Sequence, residues 1–199
     1  QHSVLNIAVI VAALGYFVDI YDLLLFTIVR EPSLRGLQVT DMDMISASTK
    51  IINWQMIGLL IGGIIWGIMG DKKGRLSVLF GSILLYSVAN FLTGFVTSVD
   101  QYATARFVAG IGLAGELGAG ITLVSELLPK AKRGIGTSLV AGIGLFGAVF
   151  AYFIYKVSGD WRLCYKIGGG LGIVLLLLRI SVAESGMFNT AKMKNVSRG

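Results

Sequence analysis

Four ionisable residues stand inside long apolar stretches of this sequence: Asp19 and Asp22 in the first, Arg106 and Glu116 in the fourth. An ionised side chain at membrane depth costs about 2.5–3.5 kcal/mol, so one that is kept usually faces a cavity, a partner or an ion pathway. Asp19 and Asp22 are three residues apart, which puts them on one helix face, and Tyr16 and Phe26 extend the same stripe. A carboxylate there can hold or release a proton, and a guanidinium can hold an anion or a carboxylate. Glu116 lies ten residues beyond Arg106, about 15 Å along a helix and turned by roughly 80°, so these two cannot pair with each other. Glu116 is either a second proton or substrate site or a structural carboxylate bonded to a neighbouring helix.

The elements that position these residues follow from composition. With 55% hydrophobic residues, 14% charged and 27 glycines among 199 residues, the chain does not describe an ordinary soluble domain. An apolar run of about 20 residues spans a bilayer as a helix, because only internal bonding satisfies the backbone there. Six such runs are expected, at about Val4–Val29, Ser46–Met69, Leu76–Thr97, Tyr102–Leu128, Ile135–Val157 and Leu163–Val182. Loops are expected at Glu31-Pro32-Ser33, at Asp71 to Arg75, around Asp100, at Pro129 to Gly134 and at Ser158-Gly159-Asp160.

Basic residues give the orientation. Lys72, Lys73, Arg75, Lys130, Lys132, Arg133, Arg179, Lys192, Lys194 and Arg198 fall on one side; Arg30, Arg35, Lys50, Lys156, Arg162 and Lys166 fall on the other. By the positive-inside rule both termini are expected in the cytoplasm, in agreement with an even helix count. A pI near 9.6 could suggest nucleic acid, but the basic residues sit at helix ends and not on one soluble face, so nucleic-acid binding is excluded as a reading. The first apolar run is too long for a signal peptide and carries two aspartates. Cys164 is the only cysteine and His2 the only histidine, which leaves no disulfide or metal set to read.

Between the second and third apolar runs stands Gly67 to Arg75, with the pattern G-x-x-x-D-K-x-G-R carried by Gly67, Asp71, Lys72, Gly74 and Arg75. This resembles the cytoplasmic loop signature of the major facilitator superfamily of secondary transporters. Arg106 to Gly112 resembles the R-x-x-x-G-x-G pattern of that superfamily's fourth helix. Glu126 to Gly134 resembles the E-x-x-P-x-x-x-R-G signature of its sugar-porter and metabolite-symporter branches, and Glu184-Ser185-Gly186 resembles their E-S-P pattern with glycine in place of proline. The stretch 15–26, with Asp19 and Asp22, is similar to the D-x-x-D first helix of aromatic-acid and related proton symporters. These matches come in the expected order and cover nearly the whole chain.

The resemblance implies an all-α integral membrane fold of six transmembrane helices, arranged as two inverted three-helix repeats (about 4–97 and 102–183), with 184–199 beginning a cytoplasmic linker or tail. It implies one half of a twelve-helix transporter, so the partners expected are the lipid bilayer, a small-molecule solute and a second six-helix half: either the C-terminal half of a longer chain or a second copy in a homodimer. Because helices one and four line the cavity in the family, an ion pair of Asp22 or Asp19 with Arg106 is expected. Protonation of the aspartate would break it and a bound anion would compete for the arginine. The alternative is a pair that only fastens two helices.

By the same resemblance, Asp71 bonds Arg75 and faces a helix N-terminus of the other half, and Glu126, Arg133 and Glu184 join it in a cytoplasmic gate. Asn53, Gln55 and Asn90 read as interhelical hydrogen-bonding residues. The glycines at 58, 62, 63 and 67, at 110, 112, 115, 118 and 120, and at 142, 144 and 147 read as close-packing faces that also permit helices to slide. The function expected is proton-coupled transport of a small organic anion across the cell membrane by alternating access, with protons as the coupling ion and no other cofactor. A proton-driven exporter or a uniporter of the same frame is the alternative, and a non-transporting scaffold stands behind them. No enzyme motif such as H-E-x-x-H or G-x-S-x-G occurs.

Overall fold

A computed structural model describes the backbone of residues 7–127 and 129–196, and the side chains of residues 10–74, 77–116 and 129–182. The described residues form six helices: α1 (Ile7–Gly36), α2 (Met44–Lys73), α3 (Arg75–Thr93), α4 (Val99–Leu127), α5 (Lys130–Ser158) and α6 (Trp161–Val196). No strand occurs among the described residues. Among the described residues, α1, α2, α5 and α6 each offer a stretch long and apolar enough to cross a membrane, and α3 supplies the shorter apolar stretch Ser77–Thr93; the described part of α4 carries Asp100, Arg106 and Glu116.

Three expected breaks are helical instead. α1 continues through Pro32 to Gly36. A mid-helix proline lacks an N–H and removes one ladder bond, but Ser33 Oγ donates to the Arg30 carbonyl at 3.0 Å, and the fully buried Leu34 anchors the last turn in the core. Residues 130–134 form the first turn of α5, with Pro129 ahead of it as its N-cap, a place where a missing N–H costs nothing. α6 runs past Val182 to Val196, so the segment expected as a linker is helical over most of its length.

The real junctions are short. α2 and α3 are separated by Gly74 alone, whose φ of 88° and ψ of 158° are open to glycine and strained for other residues, and whose N–H closes on the Gly70 carbonyl at 3.0 Å. Between α5 and α6, Gly159 takes a left-handed turn and bonds the Tyr155 carbonyl at 2.8 Å.

Packing follows the small residues. α2 lies along α4: a Cβ on Gly58 or Gly62 would stand on the Phe107 or Ile111 carbonyl of α4. α5 lies along α1 by the same means, with Gly147 over the Phe17 carbonyl and Gly144 against the Tyr16 ring. α3 packs on both α4 and α6, where Gly112 and Gly115 meet Tyr86 and Ser82, and Gly169 and Gly172 meet Ser87. Without a hydrophobic force between helices in lipid, such backbone contact is what brings them together. Gly63, Gly67 and Gly142 have nothing within 4 Å, so they are not part of these seams as expected; the packing of Gly118 and Gly120 lies outside the described residues. The opposite faces of α2, α5 and α6 present Leu60, Ile64, Phe146, Val149, Phe153 and Leu177 outward.

One end of the bundle is closed by a core of Tyr21, Leu25, Phe26, Leu34, Tyr102, Trp161 and Tyr165, joining α1, α4 and α6. Tyr102 and Trp161 stack nearly parallel, their centroids 5.8 Å apart. The hydroxyls of Tyr102 and Tyr165 meet at 2.6 Å, and Tyr21 donates to the Cys164 carbonyl at 2.7 Å.

Candidate functional site

Asp19, Asp22, Arg106 and Glu116 are all buried within this bundle, each at 2% exposure or less. An uncompensated ion in such surroundings is expensive, so their partners decide what they can do. The partners divide them into two clusters.

The first is centred on Arg106 of α4. Its Nη1 donates to Asn90 Oδ1 of α3 at 2.7 Å; Nε and Nη2 donate to Gln55 Oε1 of α2 at 3.4 and 3.3 Å; and Nη2 also reaches the Asp22 carbonyl of α1 at 3.3 Å. The guanidinium lies 5.5 Å from the Tyr165 ring centroid of α6, within cation–π range. One side chain thus ties four other helices. The expected carboxylate–guanidinium pair does not form: neither Asp22 nor Asp19 is in an ion pair with Arg106. The reason is geometric, since amide oxygens of Asn90 and Gln55 occupy the fork, while the Asp22 carboxylate faces α6, where its Oδ1 stands 2.7 Å from the place a Cβ on Gly168 would take. Neither Asp22 carboxylate oxygen has a hydrogen-bond partner. Gln55 and Asn90 bond between helices as their types suggested, whereas Asn53 is exposed.

The second cluster is centred on Glu116. Its Oε1 accepts from Arg179 Nη1 of α6 at 2.6 Å and from Ser82 Oγ of α3 at 3.1 Å. The ion pair is sealed, with side-chain exposures of 9% for Arg179 and 0% for Glu116. The sequence groups Arg179 with the basic residues of the tail side; in the structure it is a buried counter-charge to Glu116 within α6. Its position inside the apolar run Leu163–Val182, ahead of the tail lysines, is the signal that sequence reasoning passed over. Asp19 sits one turn from Gly15, and Gly15 in turn abuts the Arg179 guanidinium.

The gate residues are less fully described. Gly67, Asp71, Lys72 and Gly74 are exposed at the end of α2 and the turn that follows it. Arg133 is exposed on the first turn of α5 and its carbonyl accepts from Thr137 Oγ1 at 2.8 Å. The side chains of Arg75, Glu126 and Glu184 lie outside the described residues, as does the expected Asp71–Arg75 bond. Among the described residues no cluster of side chains has the makeup of a metal site.

The family model of the Major Facilitator Superfamily matches residues 4–197. A protein of Haemophilus influenzae named as a metabolite transport protein is 31% identical over 91% of this chain and 44% of its own length. The niacin transporter NiaP of Acinetobacter baylyi is 29% identical over 88% of this chain and 40% of its own. Among solved structures, that of the proton:xylose symporter XylE superposes with a TM-score of 0.76 at 20% identity, covering 88% of this chain and 44% of that one. The chain spans less than half the length of the relatives it matches.

Proposed function

We propose, from the premise that this chain belongs to the Major Facilitator Superfamily, that it forms the first six-helix half of a proton-coupled transporter for a small organic anion. Its relatives are transporters and not enzymes, and it is a multi-pass cell-membrane protein that handles a small solute. The observation that carries the finer reading is the pair of unpartnered Asp22 carboxylate oxygens beside the wholly buried Arg106. A carboxyl with no fixed bonding partner can take up a proton without breaking existing bonds, and a guanidinium held by neutral amides keeps its positive charge for an incoming anion. The anionic substrate class is supported by that cation and by the similarity to a niacin transporter, niacin being a carboxylic acid.

All six helices are read as spanning, with both termini cytoplasmic, and α1–α3 and α4–α6 as inverted repeats. The support is that exchanging the repeats turns one packing seam into the other: Gly58 of α2 on the Phe107 carbonyl of α4 corresponds to Gly147 of α5 on the Phe17 carbonyl of α1. A second six-helix half, within a longer chain or from a second copy, closes the cavity and meets the gate at Gly67 to Arg75, Glu126, Arg133 and Glu184. Alternating access then rocks the two halves about the buried site.

A second reading has an observation of its own. Arg106 already bonds three other helices, which fits a fastener as well as a ligand, and a uniporter or exporter would then share this frame.

The test is uptake into proteoliposomes under an imposed pH gradient, with a panel of small carboxylic acids. Acidification of the lumen together with solute entry is expected in wild type, and solute entry that ignores the gradient in Asp22→Asn. Gradient-driven uptake that persists in Asp22→Asn removes Asp22 from the coupling role.

A further inference from the structure

Glu116 and Arg179 make one ion pair, but a second acid belongs to the same cluster. Asp19 has the charges of Glu116, Arg179 and Asp22 around it, with the Tyr86 hydroxyl beside it; Arg179 has Glu116, Asp19 and Tyr86 around it. Arg179 lies against α1 at Gly15, one helical turn from Asp19, and Ser82 and Tyr86, also one turn apart on α3, close the other side. Two carboxyls therefore face a single guanidinium in a pocket walled by α1, α3, α4 and α6. Were both ionised, the pocket would hold an unbalanced negative charge in surroundings that solvate ions poorly. Two oxygens, Asp19 Oδ1 and Glu116 Oε2, are buried and have no hydrogen-bond partner, as is the Tyr86 hydroxyl. An orphaned carboxylate oxygen that receives a proton becomes a donor, and the Tyr86 oxygen can accept from it.

We infer that Asp19, Glu116 and Arg179 form a one-proton site, separate from Arg106 and Asp22, in which two carboxyls hold a single exchangeable proton against one fixed cation. Uptake forms an O–H bond on whichever carboxyl is not engaged with Arg179; release breaks it and leaves the proton to water. The inference rests on the proton-coupled reading above and adds to it a second ion site, with Arg179 as the residue that fixes its stoichiometry at one.

The stoichiometry makes an unusual prediction. Removing either carboxyl leaves the other ionised against Arg179, so either variant alone abolishes the bound proton, whereas removing the arginine leaves two acids that both stay protonated. The experiment is infrared difference spectroscopy on the full chain in lipid. It follows the carbonyl-stretch band of buried carboxylic acid in an Asp22→Asn background, so that Asp22 contributes nothing. One band is expected in that background, loss of the band in Asp19→Asn and equally in Glu116→Gln, and roughly a doubling of its area in Arg179→Gln.

A band that survives either single carboxyl variant, or fails to grow in Arg179→Gln, overturns the site. If a single variant is misfolded by the amide bands, the charge-balanced pair Glu116→Gln with Arg179→Met takes its place: Asp19 alone then keeps its proton, and loss of the band refutes the inference. Because nothing is transported in this measurement, failure of the proton site and failure of Asp22 coupling are told apart.

Discussion

Asn90 Oδ1 accepts a 2.7 Å hydrogen bond from Arg106 Nη1 and so joins α3 to α4 at the most buried cation among the described residues. Truncating Asn90 leaves that donor without a partner while Gln55 still holds the rest of the fork. Asn90→Ala is expected to lower stability in detergent by about 1–2 kcal/mol, the range for a charged hydrogen bond between helices. Asn90→Asp, which keeps an acceptor, is expected to recover most of it. Thermal unfolding followed by tryptophan fluorescence distinguishes these. Equal loss in both variants would mean that Asn90 contributes shape and not the bond.

The extent to which these contacts were legible in the sequence depends on what each residue signals by itself. Asp19, Asp22, Arg106 and Glu116 announced themselves, because an ion in an apolar run needs a reason. Their pairing did not, since it depends on helix rotation. Spacing showed that Glu116 could not meet Arg106, yet nothing local said that its partner lay at Arg179, 63 residues away. Arg179 was hidden by its position near the end of its apolar run, where a buried counter-charge and a topological charge look the same. The loop at Glu31-Pro32-Ser33 was misread for a similar reason: proline is a local stop signal, and the burial of Leu34 that overrides it is tertiary.

The glycines differ sharply in what surrounds them, and two in α5 make a matched test. A Cβ at position 147 would stand on the Phe17 carbonyl of α1, which is backbone and has no room to turn aside, while one at 142 meets nothing within 4 Å. Gly147→Ala is expected to cost about 1–3 kcal/mol through separation of α5 from α1. Gly142→Ala is expected to be neutral or to gain up to about 1 kcal/mol from helix propensity. If the two shift the melting temperature alike, the α1–α5 seam is looser than described.

Arg162, at the start of α6, donates to the carbonyls of Gly94 and Val96 at 3.3 and 2.6 Å and lies 4.4 Å from the Trp161 ring centroid. The last turn of any helix leaves carbonyls without an internal partner, and here a cation from α6 bonds those at and just beyond the end of α3. Arg162→Ala is expected to lower stability by about 1–2 kcal/mol. Arg162→Lys should restore only part of it: both carbonyl bonds come from the single nitrogen Nη1, which an ammonium can imitate, but a compact ammonium does not lie on the Trp161 indole as the planar guanidinium does. Full recovery with lysine would show that only the positive charge matters there.

At the junction of α2 and α3 the two requirements of backbone and charge can be separated. Gly74 holds a φ of 88° with open space around it, so Gly74→Ala meets no clash but incurs backbone strain of about 1–3 kcal/mol. It should therefore distort the hairpin itself. Asp71 is exposed, and its proposed role is to bond a helix N-terminus across the gate in one conformation only. An interaction made in a single state of the cycle alters how often that state is visited and leaves the buried site untouched. Asp71→Asn is thus expected to reduce maximal uptake about two- to fivefold, the effect of roughly 0.5–1 kcal/mol at a helix terminus, with KM unchanged. Gly74→Ala should reduce uptake and thermal stability together. Uptake kinetics on both variants, set beside their melting curves, check the distinction: a raised KM with unchanged maximal rate in Asp71→Asn would place that residue on the substrate path and not at the gate.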